Sequence, residues 1–284
     1  MLRPSHLAMV IAESAILCIA VSAAEPSLDQ RLSQAREAFR PGQPDRALAL
    51  AGEAIAAAPR DPRGYQLRGD MQASLGRHAE AVADYDRALE RAPRQAELYD
   101  RRGSEQFKLG KVAESIADFD RFIALRPDQE PHHWKRGISY YYAGRFDEGR
   151  KQFEGYQTVD DNDVENATWR YLCMARGVGV EKARAEILPI KRDARVPMME
   201  VYALYRGDIQ PEVVLRAAQA GNPPAERLNE RLFYAHLYIA LYYEAGGDAQ
   251  QAAEHIATSE NHRIPHYMWD VARVHAARLR ARSK

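Results

Sequence analysis

Nine histidines and 40 acidic side chains would be enough for hydrolysis, metal binding or proton transfer. Their spacing supports none of these. His132 and His133 are adjacent. His262 and His266 have the i, i+4 interval of a helix-borne metalloprotease pair, but no glutamate lies between them and Pro265 interrupts the helix that would align them. Gly177-Val178-Gly179 lacks both the preceding strand and the lysine of a phosphate-binding loop. No serine occupies a nucleophile elbow, and the carboxylates are spread along amphipathic stripes, so no catalytic pair stands out. Cys18 and Cys173 are the only cysteines. Cys18 lies in a segment expected to be removed, which leaves one thiol and neither a disulfide nor a cysteine-based metal site. Cys173 sits among Trp169, Tyr171, Leu172 and Met174, the setting of a buried structural cysteine. We expect no catalytic residue, no metal and no cofactor.

The stronger pattern is structural. Gly69, Gly103 and Gly137 lie 34 residues apart, as do Gly42, Gly76, Gly110 and Gly144, and also Pro59, Pro93 and Pro127. Blocks starting at Leu28, Pro62, Ala96 and Glu130 put small residues at the eighth place (Ala35, Gly69, Gly103, Gly137) and the twentieth (Ala47, Ala81, Ser115, Gly149). Small side chains there let two helices of one unit cross closely. The twenty-fourth place holds Ala51, Tyr85, Phe119 and Phe153, a plug between units. In the second block Ala81, Tyr85, Ala88 and Leu89 form one helical stripe. Gly76 can end the first helix at positive φ, and Pro93 ends the second because it has no amide hydrogen to continue it.

Agreement at several places over 28–163 resembles the tetratricopeptide repeat family, whose 34-residue helix-turn-helix units stack to bury a shared core. The resemblance implies an all-α solenoid of stacked units forming a right-handed superhelix, a surface that usually binds proteins and seldom does chemistry. Arg68, Arg102 and Arg136 recur at the seventh place, with Asp84 and Asp118 at the twenty-third. We read them as braces within a unit, each worth under about 1 kcal/mol if exposed. A basic ladder for an acidic peptide is the alternative reading. The twenty-seventh place changes from Ala54 and Ala88 to Phe122 and Tyr156. That overpacking predicts that the third and fourth units splay or meet a non-repeat element.

Beyond residue 163 the period fades. Helices are expected around Trp169–Ala175, over Val180–Leu188 up to Pro189, over Met199–Tyr205 and over Pro211–Ala220, and Gly221-Asn222-Pro223-Pro224 breaks the chain. Residues 164–222 thus form a divergent helical segment. Residues 223–284 read as a fifth, divergent hairpin (Leu232–Ala245, a turn at Gly246-Gly247-Asp248, then Ala252, Ala253 and Ile256). Pro265 then starts a capping helix, Trp269–Arg280, with a basic outer end. Met1–Ala24 reads as an export signal: Arg3, a mostly apolar stretch over Leu7–Ala20, then Ser22-Ala23-Ala24. It is too short and interrupted to span a membrane. Glu13 counts against export, and a cytoplasmic amino-terminal helix is the alternative. Leu17, which is not small, precedes Cys18 and disfavours lipidation there.

Inner-facing places of the first helices nominate a groove: Gln66 and Asp70, then Asp100, Ser104, Phe107 and Lys108, then Trp134, Ile138, Tyr141 and Tyr142. It runs from polar to aromatic, which suits an extended or helical peptide with a few anchors. Packing of Trp134 or Tyr141 beneath the divergent segment is the competing expectation. Forty basic residues balance forty acidic ones, so no net field favours nucleic acid or an anionic membrane.

Trp169-Arg170-Tyr171-Leu172, the aromatic stretch from Tyr202 to Gly207-Asp208 and the late Phe233-Tyr234 follow an order similar to the NlpI type of bacterial envelope tetratricopeptide protein. That resemblance implies a dimeric outer-membrane lipoprotein adaptor that brings peptidoglycan hydrolases to a processing protease. The unsuitable lipidation site departs from it. The expected function is therefore a non-catalytic, exported, periplasmic or envelope scaffold for other proteins or peptides. The alternative is a homodimeric assembly factor that uses the late aromatic hairpin.

Overall fold

A computed structural model describes residues 25–40 and 42–282; the export-signal reading and Cys18 fall outside them. Four helical hairpins come first: α1 Leu28–Phe39 with α2 Pro44–Ala57, α3 Pro62–Ser74 with α4 His78–Arg91, α5 Ala96–Lys108 with α6 Val112–Leu125, and α7 Trp134–Tyr142 with α8 Phe146–Tyr156. The divergent segment contributes α9 Val164–Val178, α10 Val180–Ala185, α11 Met198–Arg206 and α12 Pro211–Gln219. A long hairpin follows, α13 Ala225–Gly246 with α14 Ala249–Asn261, and α15 Tyr267–Arg282 comes last. Every regular element among the described residues is helical, and the hairpins stack in chain order as a solenoid.

Local chemistry accounts for the boundaries. Ser27 forms a capping box with Gln30, and the Asp61 carboxylate accepts from the Arg63 amide at the start of α3. Gly76, Gly110 and Gly144 each take φ near +75° where the first helix of a unit ends. Three boundaries differ from the sequence reading. α10 stops at Ala185, because Arg170 takes the Glu186 carbonyl (2.5 Å) and the residue before Pro189 is biased away from helix. α13 begins at Ala225, seven residues before the expected Leu232, and Pro265 lies two residues outside α15.

Ring against glycine is the unit's central contact. A Cβ added at Gly69 would meet Tyr85 at 2.9 Å, one at Gly103 would meet Phe119 at 2.9 Å, and one at Gly137 would meet Phe153 at 2.7 Å. The charged braces form as read: Arg68 Nη2 to Asp84 Oδ1 is 2.7 Å and Arg102 Nη2 to Asp118 Oδ1 is 2.6 Å. Arg136 instead reaches Asp120 and the Gln152 amide oxygen. Asp84 and Asp118 are buried, so these pairs are not exposed. Burial raises the Asp118 carboxyl while Arg102 opposes the rise, and loss of the arginine would strand a buried carboxylate. At the twenty-seventh place, Phe122 tilts against His133 with ring centroids 5.1 Å apart. α9 closes on α8 so tightly that a Cβ at Gly149 would meet Cys173 Sγ at 2.8 Å.

Gly137→Ala should destabilise the fold by about 1–3 kcal/mol through overpacking. Gly155→Ala, in α8 with no atom within 4 Å of an added Cβ, should be neutral or stabilising by up to about 1 kcal/mol. Urea unfolding midpoints of the two variants check the contrast.

Candidate protein-interaction site

The first helices of the units line a concave wall, and the chain's own carboxyl-terminal segment covers part of it. Tyr267, at the start of α15, stacks on Phe107 (centroids 5.6 Å apart, 30° between planes) and meets Trp134 edge-on at 5.5 Å. His266 stacks on Trp134, the Tyr142 hydroxyl is 3.1 Å from His275 Nδ1, and Arg278 donates to the Tyr142 carbonyl. Aromatic pairs of this kind add about 0.5–1.5 kcal/mol each beyond area burial.

The nominated groove residues consequently divide into two groups. Phe107, Ile138, Tyr141 and Tyr142 are buried in the largest core cluster. They are not groove surface in this conformation, because α9, α13 and α15 enclose them. Tyr141, for example, meets Trp169 edge-on and donates to Glu244. Trp134 stays half-buried beneath His266 and Tyr267, and Lys108 pairs with Glu105 (2.7 Å).

The polar members tie neighbouring units together. Gln66 accepts from Gln95 (3.0 Å), while Asp70 accepts from the Tyr85 hydroxyl (2.7 Å) and from Arg101 (2.8 Å). Asp100 meets His133 and Lys135, and Ser104 accepts from Lys135 as well. Burial alone would raise the Asp100 carboxyl, but His133 and Lys135 outweigh it and hold it at about 2.

Sequence reasoning missed that the other wall of the groove comes from outside the repeats. A cleft of about 820 Å³ opens between Ala73, Ser74 and His78 on one side and the 263–273 stretch on the other, with Lys108 on its floor. Its volume lies within the range of ligand sites. A smaller pocket of about 200 Å³ lies between α7, α8, α9 and the start of α15. Asn166 Oδ1 and Trp169 Nε1 are buried there without hydrogen-bond partners. At its rim Arg195 bridges Asp163 and Glu165 (2.6 Å each), and the Tyr238 hydroxyl donates to Glu165 at 2.6 Å. Burial pushes the Glu165 carboxyl up to about 7 despite Arg195. Among the described residues no group of three or more His, Cys, Asp or Glu is placed to hold a metal ion.

Two aromatics of the late hairpin, the element the homodimer reading relies on, also turn inward. Phe233 and Tyr238 are fully buried, and Tyr205 donates to the Tyr238 carbonyl while meeting Tyr242 edge-on. Histidines cluster beside them: His236 Nδ1 is 3.0 Å from His255 Nδ1, and His262 stacks 6.0 Å from His236. Burial, with the neighbouring histidines adding, lowers His236 to about 4. Burial lowers His275, beneath α7, to about 4 as well.

The Tetratricopeptide repeat family profile matches residues 32–96 and 101–164. No curated protein matches the sequence. Among solved structures, a tetratricopeptide repeat protein from Parabacteroides merdae is similar at 15% identity and a TM-score of 0.57, over 86% of this chain and 96% of that one. MamA from Desulfovibrio magneticus RS-1 is similar at 18% identity and a TM-score of 0.52, over 57% of this chain and 92% of that one. At these identities the likeness is one of fold.

Two groups should shift stability with pH in opposite senses. His275 falls from 6.5 unfolded to about 4 folded, so its contribution is present above pH 6.5 and lost as pH drops toward 4. Glu165 rises from 4.5 to about 7, so its contribution is present below pH 4.5 and lost as pH rises through 7. Urea midpoints across this range should show Glu165→Gln gaining on the parent as pH rises, and His275→Gln gaining on it as pH falls.

Proposed function

Because this chain is a tetratricopeptide repeat protein, we propose that it is a non-catalytic scaffold in a bacterial cell envelope that binds a partner protein in the concave cleft beside α15. One observation carries this reading: the concave wall already holds a helix, gripped by Phe107, Trp134 and Tyr142, and leaves a cleft of peptide-accepting size next to it. A surface that seats one helix through a few aromatic anchors has the physics of helix-in-groove recognition. Rigidity of the stacked units keeps the ordering cost of binding low on this side.

Support for export comes from the basic start, apolar stretch and small residues of Met1–Ala24. The order of aromatic motifs similar to the NlpI type agrees with an envelope adaptor, and by that resemblance the partners would be hydrolases or proteases. No helix among the described residues is long and apolar enough to cross a membrane. The homodimer reading draws no support from the late hairpin, whose Phe233 and Tyr238 are consumed within one chain.

A photo-crosslinker at Ser74, exposed on the cleft wall, should capture a protein partner from envelope extract. The same group at Arg87, exposed on α4 with 61% of its side chain accessible, should not. Equal capture from both positions, or none from Ser74, would remove the cleft assignment.

A further inference from the structure

The chain as a whole is electrically balanced, so a local surplus of one sign carries information. Such a surplus surrounds the cleft. A second opening of about 400 Å³ lies along α15, and Lys108 and Arg273 line both it and the cleft. Together the two openings are lined by the cations Lys108, Arg263, Arg273, Arg278 and Arg280 and by the carboxylates Asp270 and Glu260. Counting Glu105, buried behind Lys108 and His78, the cations still exceed the carboxylates by two.

The arrangement of the arginines is specific. The guanidinium carbons of Arg263 and Arg273 each lie 5.1 Å from the Trp269 ring centroid. Stacking on an indole holds a guanidinium in place at low entropic cost and leaves its in-plane N–H edges able to pair with carboxylates, as Arg273 already does with Asp270 at 3.2 Å. Arg280 is 61% exposed and pairs only at the rim with Glu260. These charges come from α15 and the stretch before it. The inner repeat positions supply Lys108 alone, and Gln66, Asp70 and Asp100 add no positive charge.

We propose that these two adjoining openings are the docking site for an acidic segment of the partner protein, with carboxylates meeting Arg263, Arg273 and Arg280 as the chain passes Trp269. The inference rests on the scaffold reading above and specifies its ligand. A peptide fits better than nucleic acid because the cleft is bounded by α3 and α4 on one side and the 263–273 stretch on the other, and the molecule has no net positive field to gather a phosphate backbone.

The test is fluorescence anisotropy of the full chain with a labelled glutamate-rich peptide, its glutamine counterpart and a single-stranded oligonucleotide of equal charge. The acidic peptide should bind at least about tenfold more tightly than the glutamine peptide, weaken with added salt and shift Trp269 emission. Arg263→Gln combined with Arg273→Gln should cost about tenfold or more, with an unchanged thermal melt. Should that pair disturb α15, Arg280→Gln, at an exposed position, should still weaken binding several-fold. Equal binding of the two peptides, indifference to these variants or tighter binding of the oligonucleotide would each overturn the inference. Crosslinking from Ser74 that persists in such a case would show that the acidic preference has failed and the scaffold reading has not.

Discussion

An aromatic ring pressed on a glycine backbone is the contact from which the rest of this molecule follows. Tyr85 on Gly69, Phe119 on Gly103 and Phe153 on Gly137 fix how closely the two helices of a unit approach. Close packing leaves no room for a methyl group there. That approach sets the tilt of one unit on the next and hence the curve of the concave wall. The first unit uses Ala35 and Ala51 at the corresponding places, and its core is a small separate cluster of alanines with Leu32, Leu67 and Met71. Contact there is less distinctive, and the amino-terminal hairpin buries less apolar surface than the later ones.

Charge is arranged around this apolar frame so that the buried carboxylates Asp84, Glu105 and Asp118 are each paired. Asp84 and Asp118 are held by arginines of the same unit, whereas Asp70 and Asp100 are held by Arg101 and Lys135 of the next. The first set braces a hairpin and the second links neighbours. The second set involves the inner-facing positions Asp70 and Asp100, so the polar half of that wall is pre-organised by inter-unit ties. Its aromatic half is organised by α15.

The repeat was legible in the sequence because its determinants are local. Glycines at fixed intervals, small residues at crossings and prolines after helices constrain the backbone within a few residues. The nominated register was legible for the same reason, and the structure sets its Phe107, Trp134 and Tyr142 against the 266–275 stretch. What covers them was not. Tyr267 meets Phe107 across 160 residues of chain, and nothing in either segment alone specifies the other. The early start of α13 was missed because Ala225–Arg231 is polar and follows two prolines, so it carries little of the apolar periodicity that marks a helix. The basic end of α15 was visible, but its convergence with Lys108 is a tertiary event.

Docking of α15 onto α5 has a consequence for cooperativity. A linear array contacts only nearest neighbours, so such molecules lose stability piecewise and can open at either end. Here the terminal helix reaches back past the intervening segment to the third hairpin, and residues from α5 to α15 share one core. The second half of the chain is thereby closed on itself like a clasped bracelet. It should melt as one body, while the alanine-cored first hairpin, outside the clasp, keeps the graded behaviour of an open repeat array.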